Sequence, residues 1–336
     1  MTILGWKMCL IASSVVISFG CFFDFFLGVV IMKTVSPSMN LCEVLSKFGD
    51  DAKCRAYLEA LRWHDKVTCP NCKSDKISRI LARNQYDCDS CRYQFSVTAG
   101  TIFHDSHLPL TKWFATVYLM CESRKGMSAK QIERMMGISY KTAWYLCHRI
   151  RAAMKAVNPA PLTGTVEIDE TYVGGKFRGG LSGRAKNNKE IVIGIRQRGG
   201  DLRFFHAEDC KSGTLAKYIK ENVSADVDVL VTDDFGAYPN AMKRAGQPAE
   251  KHKTISHSKH VYVQGDIYTN TVESAFSLLK RGIMGTWHKI SAKHLAAYLD
   301  EMCFRFNNRK NSFLFRDTLL KMIESANVEY KELTAA

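Results

Sequence analysis

Apolar positions along this chain change their period three times. From Met39 to Trp63 (MNLCEVLSKFGDDAKCRAYLEALRW) they recur at amphipathic helical spacing. Between Lys76 and Thr101, KISRILARNQYDC and RYQFSVTAGT alternate like short strands. Residues 111 to 155 return to helical spacing. After Pro159-Ala-Pro161 the period falls to two again, and TVEIDETYV, EIVIGIRQR and LRFFHAED read as a three-strand meander with turns at Gly174-Gly175 and Gly199-Gly200. SGTLAKYIKENV reads as a crossover helix and DVDVLVTDD as a fourth strand beside the first. A further helix begins near Thr269. Its apolar side is Val272, Ala275, Phe276, Leu279 and Ile283, and its polar stripe is Asn270, Glu273, Ser277 and Lys280.

Within residues 111 to 155, Ser128-Ala-Lys-Gln131 has the form of a capping box opening a short helix with Ile132 and Met135 inward. Gly137 breaks that helix and Ser139 caps the next, whose apolar stripe is Ala143, Leu146, Cys147 and Ile150. Two short helices around a glycine-containing turn match a DNA-reading helix-turn-helix. Its second helix is expected to offer Tyr140, Lys141, Trp144, Tyr145, His148 and Arg149 to the groove or backbone.

Cysteine usage sharpens the strand-like segment before it. Cys69-Pro-Asn-Cys72 and Cys88-Asp-Ser-Cys91 are separated by fifteen residues. Each pair presents two thiolates to one side, and two such pairs complete a tetrahedral shell for one structural Zn²⁺. Arg79, Arg83, Arg92 and Tyr93 are expected on the surface of this zinc ribbon. Twelve cysteines dispersed through 336 residues argue against a disulfide scaffold and for a reducing compartment.

Charge adds the partner class. With 47 Lys+Arg against 33 Asp+Glu the formal net charge is +14, which suits a polyanion, most simply nucleic acid. Met8 to Met32 is almost uninterruptedly apolar, with Asp24 its only charge, and is long enough for a bilayer-spanning helix. Its basic flank is thin and no small-residue cleavage site follows, so it is a poor signal peptide. The preferred reading is an extension from a misplaced start, the true one being Met39. A membrane anchor over 8–32 is the alternative, and without it the chain is expected in the cytoplasm, on the nucleoid, with no membrane partner. The expected division is an apolar extension over 1–38, a helical lead-in over 39–65, the ribbon over 66–104 and the helix-turn-helix region over 105–158. A catalytic domain follows over 163–310, and a C-terminal helix over 311–336.

Three acids carry the candidate chemistry. TVEIDETYV places Val166 and Ile168 on one face of its strand and Glu167 and Asp169 on the other. Asp233 follows the apolar run of the fourth strand directly and is preferred to Asp234. Three antiparallel strands, a crossover helix and a fourth strand beside the first give the order of a ribonuclease-H-like fold, a mixed α/β sheet flanked by helices. In that fold Asp169 and Asp233, 64 positions apart, come side by side. The helix from Thr269 supplies Glu273, with Lys280 two turns along the same face. Carboxylates gathered this way suit two Mg²⁺ (or Mn²⁺) ions acting on a phosphodiester. Glu170 flanks the first acid, and Glu167 reads as a supporting group. His252, His257 and His260 form a basic cluster expected in a solvated loop.

These segments together resemble bacterial insertion-sequence transposases of the ISXO type, which have an N-terminal zinc ribbon and a DDE-type catalytic domain. The likeness spans about residues 39 to 310. It rests on CPNC…CDSC, TAGTIFHDSHLPLTKWF, EIDETYVGG, VTDDFGAY and TNTVESAFSLLKRGIMGTWHKISAKHLAAYLDEMCFRFNNR. The resemblance implies metal-dependent cleavage at element ends and strand transfer into target DNA by a multimer that brings two ends together. It assigns the first two acids to Asp169 and Asp233. For the third it offers Asn270 or Glu273; Glu273 is preferred because an anionic oxygen binds Mg²⁺ better than an amide. Tyr268 stands where a His is expected and Phe276 where a Trp is usual.

The resulting expectation is a transposase that binds terminal inverted repeats in double-stranded DNA through ribbon and helix-turn-helix, with Lys280 and Arg281 orienting the substrate. The alternatives are a structure-specific nuclease of the same fold, which would cut without joining, and a transposase-derived DNA-binding regulator without chemistry.

Overall fold

The computed structural model describes residues 39–174, 189–256 and 265–335. The apolar stretch 8–32, Gly175, His257 and His260 lie outside the described residues. Among the described residues no helix is long and apolar enough to cross a membrane.

The lead-in forms α1 (Leu41–Lys47) and α2 (Asp51–Arg62). Asn40 and Glu43 close a reciprocal capping box on α1, and Asp50 caps α2. The ribbon is an antiparallel sheet of β1 (Ile77–Ile80), β2 (Gln85–Cys88) and β3 (Gln94–Phe95). Its third strand ends at Phe95, shorter than the alternation suggested, and Val97 turns into a different core. Helices α3 (Leu110–Glu122), α4 (Ala129–Met136) and α5 (Tyr140–Met154) follow. Gly137, at φ 60°, adopts the left-handed conformation that ends α4. Ser128 and Ser139 accept the expected backbone N–H bonds, from Gln131 and Thr142. Met135, expected inward, is 47% exposed. Ile132 is buried and Met136 packs beside it, since four residues return closer to the same helix face than three.

The second half is built on a five-stranded sheet. Strands β4 (Thr165–Val173), β5 (Glu190–Gln197) and β6 (Leu202–Ala207) run as an antiparallel meander. Helix α6 (Ser212–Asn222) crosses over to β7 (Val229–Asp233), which lies parallel to β4. Helix α7 (Tyr238–Ala245) then leads to β8 (His252–Ile255), parallel to β7, giving the order β6-β5-β4-β7-β8. This is the ribonuclease-H-like arrangement.

Alternation along the strands explains its two layers of helices. Val166, Ile168, Ile191, Ile193 and Ile195 face Leu215, Ile219, Tyr238 and Met242 of α6 and α7. On the other face Val192 and Phe204 meet α8 (Asn270–Gly282) and α9 (Ala292–Asn307) through Val272, Phe276, Leu295 and Leu299. A π turn at Ile283–Trp287 joins those two helices.

Helix α10 (Leu314–Glu324) returns to the first half. Phe315 packs among Phe48 of the lead-in and Phe114 of α3, so the lead-in, α3–α5 and α10 share one apolar core. A last helix, α11 (Tyr330–Thr334), lies beside α5. The two halves are also joined by charge: Glu301 of α9 is fully buried between Arg151 of α5, at 2.6 Å, and Arg305, at 3.2 Å. Arg305 further donates to the carbonyls of Ser123 and Arg124 just past α3.

Candidate active site and zinc centre

The parallel pairing of β4 with β7 sets Thr165 against Val229, Val166 against Leu230 and Glu167 against Val231. Every pair has the same 64-residue offset, and continuing it by two residues sets Asp169 level with Asp233. Carboxylate oxygens of Asp169, Glu170 and Asp233 lie within 4.8 Å of one another. Asp169 accepts the backbone N–H of Glu170 at 2.8 Å, and Asp233 that of Phe235 at 3.0 Å, which fixes both side chains. Asp234 is directed elsewhere, accepting the hydroxyl of Ser256 at 2.8 Å.

Burial and the crowding of like charge show in the titration of this group. Burial, reinforced by the charges of Glu170, Asp233 and Glu273, pushes the Asp169 carboxyl up to about 8. Such a cluster needs a proton or a cation, and three converging carboxylates are the hard oxygen donors that a divalent ion such as Mg²⁺ takes. The donor set therefore fits the metal that the sequence suggested.

Glu170 was read only as a flanking residue, yet it belongs to this group. The phenol of Tyr238 donates to it at 2.8 Å. Tyr238 is fully buried, and burial together with the Glu170 charge holds its pKa well above the ordinary range. The sequence signal was an acid adjacent to Asp169; strand alternation alone sends it to the opposite face and hides it.

Glu273 stands in the first turn of α8, where the hydroxyl of Thr269 donates to it at 3.0 Å. Its carboxylate falls outside the 4.8 Å group but is near enough to act on Asp169. Asn270 is the exposed first residue of α8. Lys280 and Arg281 are exposed in its last turn, as a polar stripe requires.

The four ribbon sulfurs also lie within 4.8 Å of one another. Lys73 and Arg92, each just after the second cysteine of a pair, adopt left-handed φ values of 63° and 59°. Their N–H groups donate to the carbonyls of Cys69 and Cys88, so both knuckles make the same turn. Four converging thiols suit structural zinc. On the ribbon surface Arg79 pairs with Glu59 and Arg92 with Asp87, Arg83 is exposed, and Tyr93 stacks on Phe95.

The expected DNA-reading face of α5 needs correction. His148 and Arg149 are each only 2% exposed. Arg149 donates to the carbonyl of His104 at 2.6 Å, with its guanidinium over the rings of Trp113 and Tyr145. His148 is enclosed by Trp144, His294 and Tyr298, and burial beside the Arg151 charge pulls its pKa down to about 3. The Tyr145 hydroxyl donates to the Val328 carbonyl, and Trp144 and Tyr145 meet the ring of Tyr330. Tyr140 and Lys141 remain exposed at the start of α5, although the Lys141 ammonium sits 4.5 Å over the Tyr330 ring. His252, expected in a solvated loop, instead opens β8, bonds Thr232 at 2.9 Å and is held below the usual histidine range by burial.

Comparison with known proteins agrees with this architecture. Residues 161–307 match the model of the ISXO2-like transposase domain, and residues 49–94 that of the transposase zinc-ribbon domain. An uncharacterised protein in transposable element ISH50 of Halobacterium salinarum is 28% identical over 277 residues, covering 76% of this chain and 90% of that one. Among solved structures, the Mos1 strand transfer complex is 10% identical over 63% of this chain and 75% of that one, with a TM-score of 0.28. A pre-cleavage Mos1 transpososome is 8% identical over 61% and 77%, with a TM-score of 0.23. Overlaps this shallow carry no further argument. The two matched segments hold the acids and the cysteines described above: the chain carries an ISXO2-like transposase domain, of DDE type, with a transposase zinc ribbon ahead of it.

Proposed function

We propose that this transposase binds the terminal inverted repeats of its element and carries out metal-dependent DNA cleavage and strand transfer, with Asp169, Asp233 and Glu273 as its acids. The observation that supports the reading best is the convergence of Asp169 and Asp233 from adjacent parallel strands beneath the first turn of α8. Two Mg²⁺ or Mn²⁺ ions held there would supply activation of an attacking water or 3′-hydroxyl and stabilisation of the leaving oxygen. Asp169, whose carboxyl is pushed up to about 8 by burial and by the neighbouring acids, would release its proton to solvent on holding a cation. Asp233 is held in place by the Phe235 N–H. Lys280 and Arg281 meet DNA phosphates from the same helix as Glu273. One Zn²⁺ on Cys69, Cys72, Cys88 and Cys91 stiffens the ribbon, which with the helices of 105–158 forms the DNA-binding part ahead of the catalytic domain of 163–310. Two copies bring two ends together.

A second reading of the third ligand has its own observation: Glu170 lies inside the oxygen cluster and Glu273 just outside it. A cleavage and strand-transfer assay on the DNA ends flanking the gene separates the readings. Asp169→Asn and Glu273→Gln should each lose more than about 100-fold, beyond the range for groups that merely support a ligand. Glu170→Gln and Asn270→Ala should lose less. Loss in Glu170→Gln with Glu273→Gln still active moves the role to Glu170; loss in Asn270→Ala moves it to Asn270.

A further inference from the structure

Two residues before Asp169, on the same face of β4, Glu167 is completely buried. A lone carboxylate would not tolerate that, but this one accepts four hydrogen bonds. One oxygen takes the Arg198 Nε at 2.7 Å. The other takes the Thr271 N–H at 3.0 Å, the Thr271 hydroxyl at 2.7 Å and the Val272 N–H at 3.0 Å. The two backbone donors are the free N–H groups at the start of α8, where the positive end of the helix favours an anion.

Other contacts fix the same turn. Arg198 spends its remaining nitrogens on the carbonyls of Asp266 and Tyr268, and its guanidinium stacks 3.6 Å from the Tyr268 ring. Arg196 donates to the Thr271 carbonyl at 2.7 Å. Gly194, which pairs with Asp169 across β4 and β5, leaves the notch into which Val272 and Phe276 fit; a Cβ there would stand within 2.9 Å of both. Thus α8 is seated on the sheet opposite Asp169 and held by a side chain two residues upstream of it.

We infer that Glu167 is a positioning residue: its carboxylate, locked by Arg198, sets the first turn of α8 so that Glu273 comes to a defined place beside Asp169 and Asp233. The inference rests on the proposed role of those acids. Glutamine could not replace it, because its NH₂ group would face donors and leave Arg198 without a counter-charge. The arrangement also accounts for Tyr268, whose ring provides a platform for Arg198.

The test measures Mn²⁺ binding to the full chain by the electron paramagnetic resonance of the free ion. Metal dependence of cleavage and thermal melting are followed on the same samples. Glu167→Gln should weaken Mn²⁺ binding about 10-fold or more, as loss of a group supporting a ligand does, and raise the metal requirement for cleavage in step. Thr271→Val, which removes one hydroxyl bond and little else, should weaken it about 5-fold, the worth of a single hydrogen bond. It decides the matter should Glu167→Gln fail to fold. A purely structural role would lower the melting temperature and leave the Mn²⁺ midpoint of the folded protein at the parental value. If Glu273→Gln loses metal while the folded variants at Glu167 and Thr271 bind it like the parent, the positioning role is overturned and the acid assignment stands. If Glu273→Gln itself binds and cleaves like the parent, the acid assignment fails and the positioning role falls with it.

Discussion

The ribbon and the acidic site both gather side chains that could hold a metal ion, but they assemble them in opposite ways. The four ribbon thiols come from one short stretch, residues 69 to 91, and two identical turns aim them. The acids come from β4, β7 and α8, elements spread along the chain from residue 165 to residue 282, and are aligned by strand register and by the seating of a helix. The first centre holds its own fold together. The second is held by a fold that must already exist, at a cost in burial and charge repulsion that appears at Asp169.

The largest expected effect lies on the local side of this contrast. Removing zinc by chelation, or replacing Cys88 by Ser, should unfold the ribbon, since structural zinc contributes about 10 kcal/mol to such modules. Melting of the catalytic half should persist. Zinc content and two-wavelength thermal melts check this; a single transition lost together with zinc would show the two regions to be interdependent.

On the acidic side the contrast predicts a pH dependence. The Asp169 carboxyl titrates near 8 when folded and near 3.8 otherwise, so the folded state binds the extra proton between those values. Metal-free protein should therefore lose stability as pH rises from about 4 to about 8, and not on acidification across that window. Asp169→Asn should remove the slope and be more stable than the parent at pH 8 by about 2 kcal/mol or more. Thermal melts across that range without divalent ions measure it. Equal slopes in parent and variant would mean that the carboxylates are not crowded.

The smallest effect concerns α5. Lys141→Ala should weaken DNA binding uniformly across sequences and reduce its salt slope by about one unit. Arg149→Ala should instead lower the melting temperature, because its guanidinium is packed between rings. Affinity measured against salt, beside melting, distinguishes the two.

These differences also mark what the sequence could carry. The strand order, the crossover helix and the two faces of β4 were legible because alternation reports burial on each side of a strand. Cysteine spacing carried the ribbon because its geometry is local. The outward face of α5 was not legible: Trp144, Tyr145, His148 and Arg149 form a polar, aromatic stripe, and periodicity says nothing of α9 and α11 arriving from far along the chain. Glu170 was missed for a related reason. Alternation assigns it to the face away from Asp169, while Tyr238 and the nearby end of β7 bring its oxygen back to the cluster. Glu167 was read as a supporting group, but only the seating of α8 shows what it supports.

The central claim is that side chains brought together by strand register form a nuclease and strand-transfer site. It is tested most directly by incubating the full chain with the DNA ends flanking its gene and Mg²⁺, beside Asp169→Asn shown to bind the same ends. The account predicts nicked and joined products from the parent and none above background from the variant. Equal products from both would contradict it.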